Sequence, residues 1–276
     1  MKVSVIEKGR KILKSIEAEH FADRSKIATG DLKTPTDLVQ QDIEIVLKNL
    51  QKKSKDDAKK IKCADHSCGF GTSLFLVKEK LLEKGIDERY VVEKQLFGMD
   101  IDADKILMAR LVIDPERRYN TNIKVGDSTR MTFETRGITH SWNNEPYLKA
   151  DGGRTPIYPE IIDNVDKQNP IQESETHLLP RGICLSSHLS HILESFFDKG
   201  LEHCREWNMN KFNGAKVRTN SYICNKGYSG LINIWEDGKY LFNYDFRNLG
   251  YIVNGGSRAL TELLVNIRKQ NSDDPM

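Results

Sequence analysis

The chain has 276 residues, 38% hydrophobic and 30% charged, with 42 Lys and Arg against 40 Asp and Glu. That composition excludes collagen-like, mucin-like and wholly disordered chains, and a net charge of +2 leaves any nucleic-acid contact to local patches. No apolar run is long enough to cross a bilayer, the first twenty residues lack a signal-peptide core, and five scattered cysteines fit free thiols. A cytoplasmic protein without membrane contact is expected.

Residues 1 to 20 have helical spacing, through Ile6, Ile12, Leu13 and Ile16. Thr36 is read as the N-cap of a second helix carrying Leu38, Val39, Ile43, Val46 and Leu50, and the lysine-rich run after it as solvated. A short strand over Ile61 to Ala64 feeds the turn Asp65-His66-Ser67-Cys68-Gly69-Phe70-Gly71, then a helix over Thr72 to Leu82. Gln95 to Met99 reads as a second strand, 103 to 113 as a helix and Asn122 to Val125 as a third strand. These intervals predict an α/β fold, a parallel sheet with covering helices.

Residues 128 to 182 read as an irregular insertion or a substrate-contacting region, rich in proline, glycine and polar residues. Leu185 to Trp207 has helical spacing. Ser221 to Cys224, Gly230 to Trp235 and Tyr240 to Tyr244 read as antiparallel strands, and Arg258 to Arg268 as a last helix. With no repeat or linker in view, one domain over 1 to 276 is expected.

The turn at Cys68 to Gly71 can bring backbone close to a ligand, because glycine presents no side chain there. It lacks the third glycine of the dinucleotide fingerprint and the Lys-Ser/Thr of a phosphate loop. Asp100, ending the second strand, could accept from two ribose hydroxyls, and Asp127 follows the third strand where a base amino group could be read. Acidic strand ends of this kind suit an adenosine-containing ligand, or else are ordinary acidic loops. Histidines and cysteines show neither zinc spacing nor an H-E-x-x-H pattern, so no metal is expected.

These segments resemble the Rossmann-like S-adenosylmethionine-dependent methyltransferases, and within them the adenine-specific (N6) DNA methyltransferases of restriction-modification systems. Asp65 to Gly71 is similar to their D-P-A-C-G-S-G loop, Phe97 to Asp102 to the ribose-binding segment, and IKVGDS at 123 to 128 to the adenine-reading segment. Gly30-Asp31-Leu32-Lys33-Thr34-Pro35 resembles an upstream G-x-F/Y-x-T-P element. The resemblance covers somewhat over a third of the chain. It implies S-adenosyl-L-methionine as cofactor, held by Thr34, Pro35, Asp65, Cys68, Gly69, Gly71, Asp100, Ile101 and Asp127.

The family's N-P-P-Y element has its nearest match in Asn144-Glu145-Pro146-Tyr147, where Glu145 replaces the first proline. The resemblance implies that Asn144 and the backbone accept from the target amino group while Tyr147 stacks on the flipped base. Asn144, Pro146 and Tyr147 are thus the catalytic expectation, with Asn169-Pro170-Ile171 a poorer match that lacks the aromatic. Residues 138 to 142 look too polar for the strand the family has before this motif. Gly214 to Ser221 resembles a later family segment. Lys216, Arg218, Lys226 and Tyr228, near Trp235, form the best basic and aromatic cluster for nucleic acid, unless they mark only a solvated hairpin.

The function this implies is methyl transfer to the exocyclic amino group of adenine in DNA. Duplex DNA is the expected partner, with a further subunit or endonuclease possible in such systems. A non-catalytic cofactor-binding module and a methyltransferase acting on RNA or protein are the alternatives.

Overall fold

The computed structural model describes residues 4–22, 34–147, 156–180, 190–207, 218–247 and 252. The chain divides into two compact units, Met1–His177 with Asn210–Ala215, and Leu178–Met209 with Lys216–Met276.

In the first unit, α1 (Val5–Ala22) buries Leu13 and Ile16, and α2 (Thr36–Val46) buries Leu38, Val39, Ile43 and Val46. Pro35, not Thr36, is the α2 N-cap. Thr36 instead donates from its N–H and hydroxyl to the Glu17 carboxylate of α1, at 3.3 and 3.2 Å. The lysine-rich run holds a short helix, α3 (Lys55–Lys59), capped by the Ser54 hydroxyl. Then follow β1 (Cys63–Asp65), α4 (Thr72–Glu83), β2 (Leu96–Asp100), α5 (Ala103–Ile113) and β3 (Asn122–Val125), within a residue or two of the predicted bounds. Helix α1 packs on α4 and α5, and α2 on α4.

The stretch read as an insertion contains β4 (His140–Asn143), α6 (Tyr158–Gln168) and β5 (Ser174–Pro180). All four residues of β4 are buried, because the strand lies between β1 and β5. Their polar groups are satisfied locally. Trp142 Nε1 donates to Asp42 on α2 at 3.2 Å, His140 Nδ1 is 2.8 Å from the Thr139 hydroxyl, and Asn143 Nδ2 donates to the Ser141 hydroxyl and the Thr176 carbonyl. A buried strand with hydrogen-bonded side chains leaves no apolar run to read.

Strands pair in parallel in the order β3-β2-β1-β4-β5, with Asp65 beside Gly98, Cys63 beside His140 and Asn143 beside His177. Chain order therefore reverses between β1 and β4. In open sheets of this kind ligands lie beyond the carboxyl ends of the strands at that reversal.

In the second unit, the helix expected over 185 to 207 is α7 (Ser190–Asp198), and Leu201–Trp207 is strand β6. Gly200 stops the helix at φ +85, where a side chain would collide with the Asn225 carbonyl. Strands β7 (Thr219–Asn225), β8 (Ile232–Glu236) and β9 (Lys239–Tyr244) follow among the described residues. Antiparallel pairing holds for β6–β7 and β8–β9, whereas β6 and β8 run parallel. The expected helix at 258 to 268 lies outside the described residues.

Candidate functional site

The glycine turn leaves β1 and is tied to its neighbours on both sides. Cys68 N–H donates to the Met99 carbonyl at 2.8 Å, and Gly69 N–H to Asp100 Oδ2 at 2.9 Å. On the other side, His66 N–H donates to Asn143 Oδ1 at 2.9 Å, which bridges the ends of β1 and β4 at the reversal. The Ser128 hydroxyl donates to the His66 carbonyl.

The two glycines differ in what surrounds them. Gly69 sits at φ +49, and a Cβ there would meet no atom within 4 Å, so the backbone faces open space. Gly71 sits at φ +78 and heads α4, but its Cβ would lie 3.2 Å from Ala109 Cβ on α5. Gly69 is the position free to approach a ligand; Gly71 serves helix packing.

Asp65 is buried and accepts from Ser67 N–H at 3.0 Å and from the Ser73 hydroxyl, so its carboxyl shapes the turn. Burial pushes it up to about 7, against the pull of those two donors. The Cys68 thiol is buried as well, and burial with the Asp65 and Asp100 carboxylates pushes it well above its ordinary value. Burial also holds His66 down at about 4, so its imidazole is neutral near pH 7.

Asp100 is half-buried and also accepts from Asp102 N–H at 3.0 Å, while Asp102 caps α5. Beside it Ile101 is 73% exposed, with its apolar side chain next to the end of β2. Asp127 takes the Thr129 N–H and hydroxyl on Oδ1, and those donors hold its carboxyl below the ordinary value.

The upstream element and the predicted catalytic element meet. Asn144 Nδ2 donates to Thr34 Oγ1 at 2.7 Å across 110 residues of sequence, and Pro35 is buried alongside as the start of α2. With Nδ2 engaged, the amide presents its oxygen as acceptor. Pro146 is exposed and Tyr147 half-buried, with burial and Glu145 both raising the phenol. Glu145 turns the other way. It is 1% exposed, and its Oε1 lies 2.5 Å from His177 Nδ1 on β5.

The nucleic-acid cluster is not gathered in one place. Arg218 lies just before β7 and pairs with Glu206 at 2.9 Å, while Lys226 and Tyr228 lie beyond the opposite end of that strand, roughly 25 Å away along an extended chain. Lys226 is exposed, and Tyr228 is held by its hydroxyl bond to the Leu231 carbonyl. Lys216 lies outside the described residues. Sequence reasoning missed Asn143, His66 and His177. Asn143 and His177 were hidden because polarity in a strand reads as its opposite, and His66 passed as one more residue of the glycine turn.

A protein from Listeria monocytogenes assigned to the class I S-adenosylmethionine-dependent methyltransferases superposes with a TM-score of 0.65 at 16% identity, over 86% of this chain and 76% of that one. The chain has the class I methyltransferase fold. It is also similar to a modification subunit assigned to a type I restriction enzyme of Vibrio vulnificus, with TM-score 0.60 and 14% identity over 86% of this chain and 53% of the other. The protein DrdV, solved in complex with DNA, matches with TM-score 0.58 and 14% identity over 86% of this chain and 30% of its own. The chain thus spans about half the length of the type I subunit. No protein-family model matches it, and no curated protein matches it in sequence. Among the described residues no helix is long and apolar enough to cross a membrane.

Proposed function

We propose that this chain transfers a methyl group from S-adenosylmethionine to the exocyclic amino nitrogen of adenine in DNA. The observation that carries the reading is the Asn144–Thr34 bond, which joins the two elements that the resemblance assigns to catalysis and to cofactor contact.

The residues fit the cofactor. The Gly69 backbone faces open space, the Asp100 carboxylate stands at the end of β2, and the bare Ile101 side chain offers an apolar surface to an adenine ring. Asp127 would read the ring's amino group with the acceptor capacity its Thr129 bonds leave. The bound cofactor would supply a methyl group on a cationic sulfur: the S–CH3 bond breaks as N–CH3 forms, the sulfur leaves as a neutral thioether, and the nitrogen gives up a proton to solvent. The chain's own contribution is to hold the nucleophile. Asn144 Oδ1 accepts from the target amino group and stabilises charge as it develops on nitrogen. Tyr147 gives an extruded base a face to stack on.

DNA as the substrate is supported by the likeness to the type I modification subunit and to the DNA-bound protein. The former is a subunit of a restriction enzyme, which supports a partner subunit for this chain as well. Lys226, with Tyr228 near it, is an exposed cation suited to phosphate contact.

Asn144→Ala and Tyr147→Ala test this directly. Both should bind S-adenosylmethionine as the unaltered chain does in calorimetry, and both should lose DNA methylation by on the order of a hundredfold or more. Methylation that survives both changes contradicts the assignment. Cofactor binding by an unaltered chain that methylates nothing would identify a non-catalytic module.

A further inference from the structure

Glu145 stands where the resembling motif has proline, inside the loop that carries Asn144, Pro146 and Tyr147. A carboxylate costs several kcal/mol to bury unless it is paired. Its one hydrogen-bonding partner among the described residues is His177 Nδ1, at 2.5 Å; Oε2 is buried with none. His177 is itself 3% exposed on β5, where the register sets it beside Asn143, two residues before Glu145.

Other titratable groups face this pair from each neighbouring element. Glu175 Oε2 lies 3.8 Å from His177 Nε2 on the same strand. Asp65 at the end of β1, His66 in the glycine turn, Tyr147 in the loop and Tyr158 at the start of α6 lie within electrostatic reach. His66 is neutral near pH 7, so within this group the imidazolium of His177 is the positive charge that lets Glu145 stay inside.

We propose that the Glu145–His177 pair is a positioning device: it clamps the Asn144–Tyr147 loop onto β5, and lets go when the pair loses its proton. The proline of the resembling motif stiffens that loop covalently; here a buried ion pair does so, and adds a dependence on pH. Burial alone would lower the His177 pKa, but the Glu145 and Glu175 carboxylates together outweigh it and hold the imidazole protonated to about pH 9. The structural claim stands on this contact, and only its effect on turnover rests on the function proposed above.

Two readouts separate the clamp from the proposed reaction. In protein grown with 3-fluorotyrosine, the Tyr147 fluorine resonance, assigned with Tyr147→Phe, is followed by NMR against pH. It should inflect near pH 9, at least about one unit lower in Glu145→Gln, and not at all in His177→Gln. In the second readout, kcat for DNA methylation should share that alkaline limb. Glu145→Gln should lower kcat by about tenfold to a hundredfold with KM for the cofactor unchanged.

Should Glu145→Gln not fold, the double variant Glu145→Pro with His177→Leu replaces the clamp by the proline. It should keep kcat within about tenfold of the unaltered chain and show no alkaline limb. A Tyr147 resonance that ignores pH, or an inflection unmoved by either single change, overturns the clamp. So does a double variant that keeps the limb. If the unaltered chain methylates nothing, the functional reading fails, and the fluorine titration still decides the clamp.

Discussion

Gly69→Ala and Gly71→Ala introduce the same methyl group two residues apart, and the structure predicts opposite patterns for them. Both residues hold positive φ, which costs a non-glycine residue about 1–2 kcal/mol. At Gly69 nothing in the protein meets the new Cβ, so backbone strain is the whole cost to stability. At about 2–4 °C per kcal/mol for a chain of this size, that lowers Tm by about 2–8 °C. At Gly71 the methyl also lies 3.2 Å from Ala109 Cβ and 3.4 Å from its Cα, which adds overpacking of about 1–3 kcal/mol. Tm should fall roughly twice as far.

Cofactor binding should move the other way. The space beside Gly69 is where the backbone would approach the ligand, so Gly69→Ala should weaken S-adenosylmethionine by about tenfold or more, near 1.4 kcal/mol. Gly71→Ala, measured well below its Tm, should bind within about threefold of the unaltered chain. Calorimetric titration and thermal unfolding of the same preparations give both numbers. Unchanged binding in Gly69→Ala, or a larger binding loss in Gly71→Ala, would refute the placement of the ligand over Gly69.

Further predictions follow from single contacts. Thr34→Val removes the acceptor for Asn144 Nδ2, worth about 1 kcal/mol of stability, and should lower methylation by about tenfold while Thr34→Ser retains it. The Asp65 carboxyl ionises near 7 in the folded chain against 3.8 for the unperturbed group, so the folded state holds the extra proton between those values. Stability from this group is complete below 3.8 and is lost as pH rises through 7; in urea unfolding, the advantage of the unaltered chain over Asp65→Asn should shrink across that window, and a constant difference contradicts the assignment. Lys226→Ala should reduce the salt slope of DNA binding by about one, whereas Arg218→Ala, whose charge is engaged by Glu206, should change it less.

The β1-to-β3 half of the sheet was legible because its signals are local. β1 and β2 are short, largely apolar runs closed by an acid, β3 is followed two residues on by Asp127, and Asp102, Gly71 and Gly85 mark helix ends. The turn and the strand-end acids of the candidate site followed from the same signals. Between residues 138 and 180 the helix α6 was legible through Tyr158, Ile161, Ile162 and Val165 and was passed over, whereas β4 was illegible for a physical reason. In β4, His140, Ser141 and Asn143 are buried with polar partners, so neither alternation nor an apolar run survives. Leu201 continued the helical spacing of α7, and the stop at Gly200, left-handed at φ +85, was read through. Glu145 showed the limit most plainly. As a sequence letter it damaged the motif by adding a charge, whereas in the fold its partner His177, on the next strand, takes that charge up.

The most direct measurement is transfer of a labelled methyl group from S-adenosylmethionine to unmethylated duplex DNA of mixed sequence, with the product digested and the modified nucleoside identified. The account predicts label in N6-methyldeoxyadenosine, and none when Asn144 is replaced by alanine. Label in another nucleoside, or no label from protein that binds the cofactor, would contradict it.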